Sequence, residues 1–265
     1  MIISVKNYTP SRGFWNSPWV GLQHFRDFFQ DYYFFRVLRN TIRISILSLV
    51  FTFPMPIILA LLINELKNKY YARIIQTITY LPHFISIVII AGIVVQLTSR
   101  TGGITQFLNL FGFPRVTMLN EPAMFVPIYI ISGIWQTVGW SSIIYLSALA
   151  AIDQELYEAA MIDGAGKFRQ LISITIPCLS ETVVIMFILQ VGRMFNVGYE
   201  KIMLLYNPLT YEVADVISTY VYRKGLIEFN WSYSAAVGFF NSVICFVLVV
   251  ITNKMSHKLR GSGLW

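Results

Sequence analysis

The chain has 265 residues, of which 56% are hydrophobic and 12% charged, and its mean hydropathy is +0.62. A water-facing surface calls for about 25% charged residues, so this composition excludes an ordinary soluble domain and indicates an integral membrane protein. The net charge of +7 comes from single Lys and Arg residues at segment edges. With no basic cluster and no nucleic-acid module, it argues for membrane flanks and against nucleic acid.

Residues 1–43 are aromatic and basic and too charged to cross a bilayer; they read as an extracytoplasmic interfacial segment. Within them, 17–29 predicts an amphipathic helix with Trp19, Phe25, Phe28 and Phe29 facing lipid or protein. An ordinary loop helix packed on the bundle is the equal alternative. A membrane helix then needs about 20 mostly apolar residues. Residues 44–63 qualify, with Pro54 and Pro56 placed to kink the helix. Residues 74–98 follow, interrupted by Pro82 and His83. The third span, 123–152, carries Trp135, Gln136 and Trp140, and the fourth, 182–205, is weaker and contains Arg193. The fifth, 234–253, has Asn241 as its strongly polar interior residue. The expected fold is all-α, a polytopic transmembrane helical bundle with five spans. Cys178 and Cys245 read as small apolar packers, and His83 as a hydrogen-bonded packing residue with no carboxylate partner in its span.

The polar stretch 153–177 predicts two short helices. Asp153 caps the first and Glu155 suits its positive end. Gly164 permits a sharp turn at positive φ. Phe168, Leu171 and Ile172 give the second helix an apolar face, and Pro177 marks entry to the next span. Ala159 and Ala160 leave the first helix a slim face that another surface can approach closely.

The spacing Glu158-Ala159-Ala160, three residues, Gly164, nine residues, Ile174, one residue, Ile176-Pro177 resembles the EAA loop of binding-protein-dependent ABC permeases. That family usually has Leu where Ile176 stands. The runs Ser17-Pro-Trp-Val-Gly-Leu-Gln-His-Phe25, Leu81-Pro-His-Phe84, Asn196-Val-Gly-Tyr-Glu200, Tyr206-Asn-Pro208, Glu212-Val-Ala-Asp215 and Gly263-Leu-Trp265 are similar to its oligosaccharide and polysaccharide branch. The resemblance implies an ABC importer transmembrane domain over 44–265, in the bacterial cell (cytoplasmic) membrane. It makes 153–177 a cytoplasmic coupling helix that seats on an ATPase subunit through Glu158, Ala159, Ala160, Asp163, Gly164 and Ala165. It also implies a second homologous permease, two ATPase subunits, an extracytoplasmic solute-binding protein and an oligosaccharide substrate, acidic ones included. This chain would itself bind no cofactor; ATP and Mg belong to the ATPase partners. The family has about six spans, so a first span is expected to be missing ahead of Met1-Ile2-Ile3. This orientation rests on the loop, since basic residues are more numerous on the opposite side.

Polar and aromatic groups inside spans tend to face a bundle interior or pathway. Trp135, Gln136, Trp140, Asn196 and Tyr199 are therefore candidates for sugar stacking and hydrogen bonding, with helix packing the alternative. Arg193 would meet a uronate carboxylate, or else pair with the partner permease or snorkel to the interface. No Gly-rich lysine loop, nucleophile–base pair or metal constellation is present in the sequence, so the chain is read as non-catalytic. A secondary transporter would need an intramembrane carboxylate for its coupling ion, and none lies well inside a span. A scaffold role would leave the loop motif without a purpose.

Overall fold

The computed structural model describes residues 2–260; the Gly263-Leu-Trp265 run and Met1 lie outside the described residues. The described residues are helical, apart from turns and one isolated antiparallel bridge between Lys6 and Trp19. Among the described residues, four helices are long and apolar enough to cross a membrane: Phe34–Asn64, Pro122–Ala150, Lys167–Arg193 and Trp231–Lys258. A bent pair, Lys69–Phe84 and Ile87–Leu97, turned through 102°, is long and apolar enough only when taken together, as a broken span or a re-entrant loop. Its break falls at 85–86, just after the expected Pro82 and His83.

Internal contacts divide the chain into two compact units. One gathers Ser86–Ser132 and Gly192–Leu248 with the residues up to Ser48; the other gathers Leu49–Ile85, Gly133–Val191 and the residues from Val249.

In the first unit, the leading span starts at Phe34, ten residues ahead of the apolar run that suggested 44–63. The reason is periodicity. Phe34, Val37, Asn40, Thr41, Ile44 and Ser45 are all buried at helical spacing, while Arg39 and Arg43 are exposed. Residues 34–43, read from sequence as part of the leading segment, thus belong to the first long helix. The polar members of this face are satisfied: Asn40 Nδ2 donates to the carbonyls of Glu212 (2.8 Å) and Asp215 (3.0 Å), and Thr41 Oγ1 accepts from Ile217 N–H at 2.9 Å. The helix Gln23–Gln30 packs on this unit through Phe28, which is 1% exposed. Phe28 sits among Phe34, Val37, Ile217, Tyr220, Tyr233 and Val237, with its ring 5.0 Å from that of Phe34. Burying one such side chain stabilises by about 1.5–3 kcal/mol. The helix is thus packed on the bundle through Phe28, while Trp19 and Phe29 remain exposed.

In the second unit, Ala60, Tyr145, Leu149, Ile152 and Leu179 form the core. A Cβ added at Gly139 would collide with the carbonyl of Thr79, so two helices meet there backbone to backbone, as small residues allow in membranes. His83 stacks on Trp140 at 4.7 Å, nearly parallel. Its packing role is a ring stack. Cys178 is exposed and Cys245 buried, and both are free; only Cys245 is a core packer.

The fourth span needs the largest correction. It runs Lys167–Arg193 in place of 182–205, so the second half of 153–177 is its first turns. A wide π-helical turn, Leu171–Thr175, precedes Pro177 and makes room for a ring that an α-turn would crowd. At the other end the chain leaves the helix after Arg193 and resumes at Tyr199, past Gly198. Arg193 is the last residue of this helix and is exposed.

Candidate functional site

Two regions carry the residues singled out by sequence. The first is the loop after the third span. Asp153 Oδ1 accepts the Glu155 N–H at 3.0 Å and opens the helix Gln154–Ile162. Gly164 closes it with φ +74°. There the Gly164 N–H donates to Met161 O (3.1 Å) and the Ala165 N–H to Ala160 O (2.8 Å), the paired bonds of a Schellman end. Tyr157 Oη and Thr175 Oγ1, 2.9 Å apart, tie this helix to the π-turn. Gln170, buried, donates to Ala165 O at 2.8 Å. The helix is therefore pinned at both ends and along one side.

Glu158, Ala159, Asp163 and Gly164 are exposed, and Ala160 and Ala165 half-buried. One short helix and its cap thus bring all six together. They share the surface with Leu156, Met161 and Ile162, the last 87% exposed, which the sequence reading missed. The signal was there: an aliphatic residue two positions before a glycine cap in a polar loop has no core to enter. Phe168 and Ile172, from the expected apolar face of the second helix, are also exposed.

The second region is a cavity of about 550 Å³ in the first unit. Asn196, Tyr199, Ser218, Tyr222, Trp231 and Asn241 line it. The Tyr199 and Tyr222 rings stack with centroids 5.5 Å apart. Asn241 Nδ2 donates to Asn196 Oδ1 at 3.1 Å, leaving Asn241 Oδ1 buried without a partner among the described residues. Amides, hydroxyls and aromatic faces therefore converge on one neutral space. Tyr222 and Trp231 were not legible beforehand, because both lie outside the apolar runs. Asn241 was visible as a lone amide in the fifth span.

Trp135, Gln136 and Trp140 belong to the other unit and do not line this cavity. Trp140 has one face stacked on His83 and a T-shaped contact with Phe84. Arg193 is exposed, and no carboxylate of the described residues pairs with it. Near the cavity residues in sequence, Lys201 is buried, donating to Tyr129 O at 3.1 Å. Burial pulls its ammonium down to about 8.

Residues 34–261 match the family described as binding-protein-dependent transport system inner membrane component, and the chain belongs to that family. It is a membrane-spanning permease subunit of an ABC importer, with ATP hydrolysis residing on separate subunits. Among its relatives is protein LplB of Bacillus subtilis (strain 168), 42% identical over all of this chain and 84% of that one. The polygalacturonan/rhamnogalacturonan transport system permease protein YteP of the same strain is 40% identical over all of this chain and 83% of its own. A chain from the crystal structure of a bacterial alginate ABC transporter, in complex with an alginate pentasaccharide-bound periplasmic protein, superposes with a TM-score of 0.88. It is 46% identical, over 92% of this chain and 85% of that one.

Proposed function

We propose that this subunit forms half of the pathway for an oligosaccharide, acidic ones included, delivered by an extracytoplasmic binding protein. A second homologous permease completes the pathway, and two ATPase subunits using ATP and Mg drive it from the inner face of the bacterial cytoplasmic membrane. The observation that carries the reading is the cavity holding Asn196, Tyr199, Tyr222, Trp231 and Asn241. Aromatic faces stack on sugar rings while amides and hydroxyls bond to their hydroxyls, and the unpaired Asn241 Oδ1 supplies an acceptor for one. Relatives named for polygalacturonan and alginate support an acidic saccharide. In this reading Arg193, three residues before Asn196, meets the carboxylate, and Trp135, Gln136 and Trp140 are further pathway residues of the third span. The loop 153–177 faces the ATPase, with Glu158, Ala159, Ala160, Asp163, Gly164 and Ala165 at the joint.

The test uses the complete complex in proteoliposomes, measuring uptake and substrate-stimulated ATPase with neutral and acidic oligosaccharides. Asn241→Leu should abolish uptake while leaving unstimulated hydrolysis intact, and Arg193→Gln should weaken acidic sugars alone. Ala159→Arg, on the exposed slim face, should uncouple hydrolysis from every sugar. Undiminished uptake by Asn241→Leu would sink the cavity assignment. Equal uptake of both sugar classes by Arg193→Gln would remove Arg193 from the path.

A further inference from the structure

A second groove, of about 290 Å³, lies in the first unit in the stretch that joins the bent pair to the third span. Leu108, Phe113, Val116, Met118 and Met124 make most of its wall. One polar side chain in it is out of place: Thr105 is 2% exposed, and its hydroxyl has no hydrogen-bond partner among the described residues. A buried hydroxyl left unpaired is costly and marks a place for an acceptor that the chain does not provide.

The surroundings say what kind of molecule brings it. The helix Gly103–Asn109 and the turn after it expose Ile104, Phe107, Leu110 and Phe111. Water-facing loops seldom display so much contiguous apolar surface without a partner. The stretch begins where one membrane helix ends, at Leu97, and stops where the next begins, at Pro122. It therefore joins two segments that are candidates to cross the membrane. Arg115, exposed, stands between the lining residues Pro114 and Val116, its Nε donating to Asn109 Oδ1 at 2.8 Å. Glu121, also exposed, lines the same groove.

We propose that this groove binds one acyl chain of a zwitterionic glycerophospholipid, with Thr105 donating to the ester carbonyl and Arg115 and Glu121 meeting the phosphate and ammonium. The parts match in kind: an apolar trough for the chain, a buried unpaired hydroxyl for the ester, and opposite charges for the headgroup. A free fatty acid fits less well, because its carboxylate would meet Glu121. Lipid here fixes the stretch against the membrane and is independent of which solute the subunit carries.

The test is photolabelling of the intact complex in nanodiscs with phosphatidylethanolamine carrying a diazirine on one acyl chain, followed by peptide mapping. Label is expected within 105–124 as well as on the lipid-facing surface of the first span. Ala123→Phe and Met124→Trp, which fill the groove by different routes, should each lose the 105–124 label and keep that of the span. Thr105→Val should lower it, and label from a diazirine fatty acid should be weaker than from the phospholipid. Absence of label at 105–124 in wild type while the span is labelled would overturn the proposal. So would persistence in both filled variants, or displacement of the label by saturating binding protein, which would make the groove a protein-docking surface.

Discussion

Replacing Gly164 by Asn, Ala and Val in turn probes how the loop helix is held. Gly164 sits at φ +74°, and a Cβ there would meet nothing within 4 Å of its own chain. The internal cost is therefore backbone strain alone, about 1–2 kcal/mol for an ordinary L-residue in the left-handed region. Asn tolerates that region, Ala bears the penalty, and β-branched Val exceeds it. The strain acts on a local end held by the Ala165 and Gly164 N–H bonds, so it loosens the helix terminus and leaves the bundle folded. One to two kcal/mol shifts an equilibrium by a factor of about 5–30, which bounds the loss of coupling. The assay is substrate-stimulated ATPase of the reconstituted complex, with assembly checked by co-purification. The expected order of stimulation is wild type, Asn, Ala, Val. If Asn, the larger side chain, falls below Ala, the glycine serves close approach of a partner, and the conformational reasoning is wrong.

Two further outcomes follow from buried charge. Asp215 is 2% exposed and holds Arg223 bidentately (2.7 and 3.2 Å), with the Thr219 hydroxyl on the same carboxylate at 2.7 Å. Removing one partner of a buried pair costs about 3–5 kcal/mol. The Arg223 side chain is 29% exposed and can rehydrate, so Asp215→Asn should cost on the order of 2–3 kcal/mol in SDS-titrated unfolding, and a negligible loss would refute the pair's role. Lys201 is held near pH 8 in the fold against 10.5 otherwise. Below about 8 both states are protonated and the burial penalty is complete; between about 8 and 10.5 the unfolded state binds more protons, so stability rises with pH. Lys201→Met should therefore melt higher than wild type at pH 7, with the gap closing by pH 10; a constant gap would show that packing, not charge, sets it.

Much of the fold was legible because membrane spans announce themselves by length and hydropathy. What failed were boundaries, and each failure has a cause. Arg36, Arg39 and Arg43 interrupt hydropathy but not helical periodicity, so the first span began unseen at Phe34. Pro177 looked like an entry point, yet the π-turn before it lets the helix start at Lys167. The ends of the loop helix were legible, since Asp153 and Gly164 act through local geometry, but its exposed Leu156, Met161 and Ile162 were not. The cavity was only half legible. Asn196 and Tyr199 were found as polar groups near a span, but Tyr222 and Trp231 join them through contacts between distant segments, which carry no mark in sequence.

The meeting of Gly139 with the Thr79 carbonyl has a mechanical consequence. Side chains at an interface can change rotamer and let two helices slide, whereas touching backbones have nothing to rearrange. The third span and the first arm of the bent pair are thus locked in register at that point, like two rods welded at one spot. When the importer changes state they must travel together, and the strain of that motion has to be taken up away from the weld.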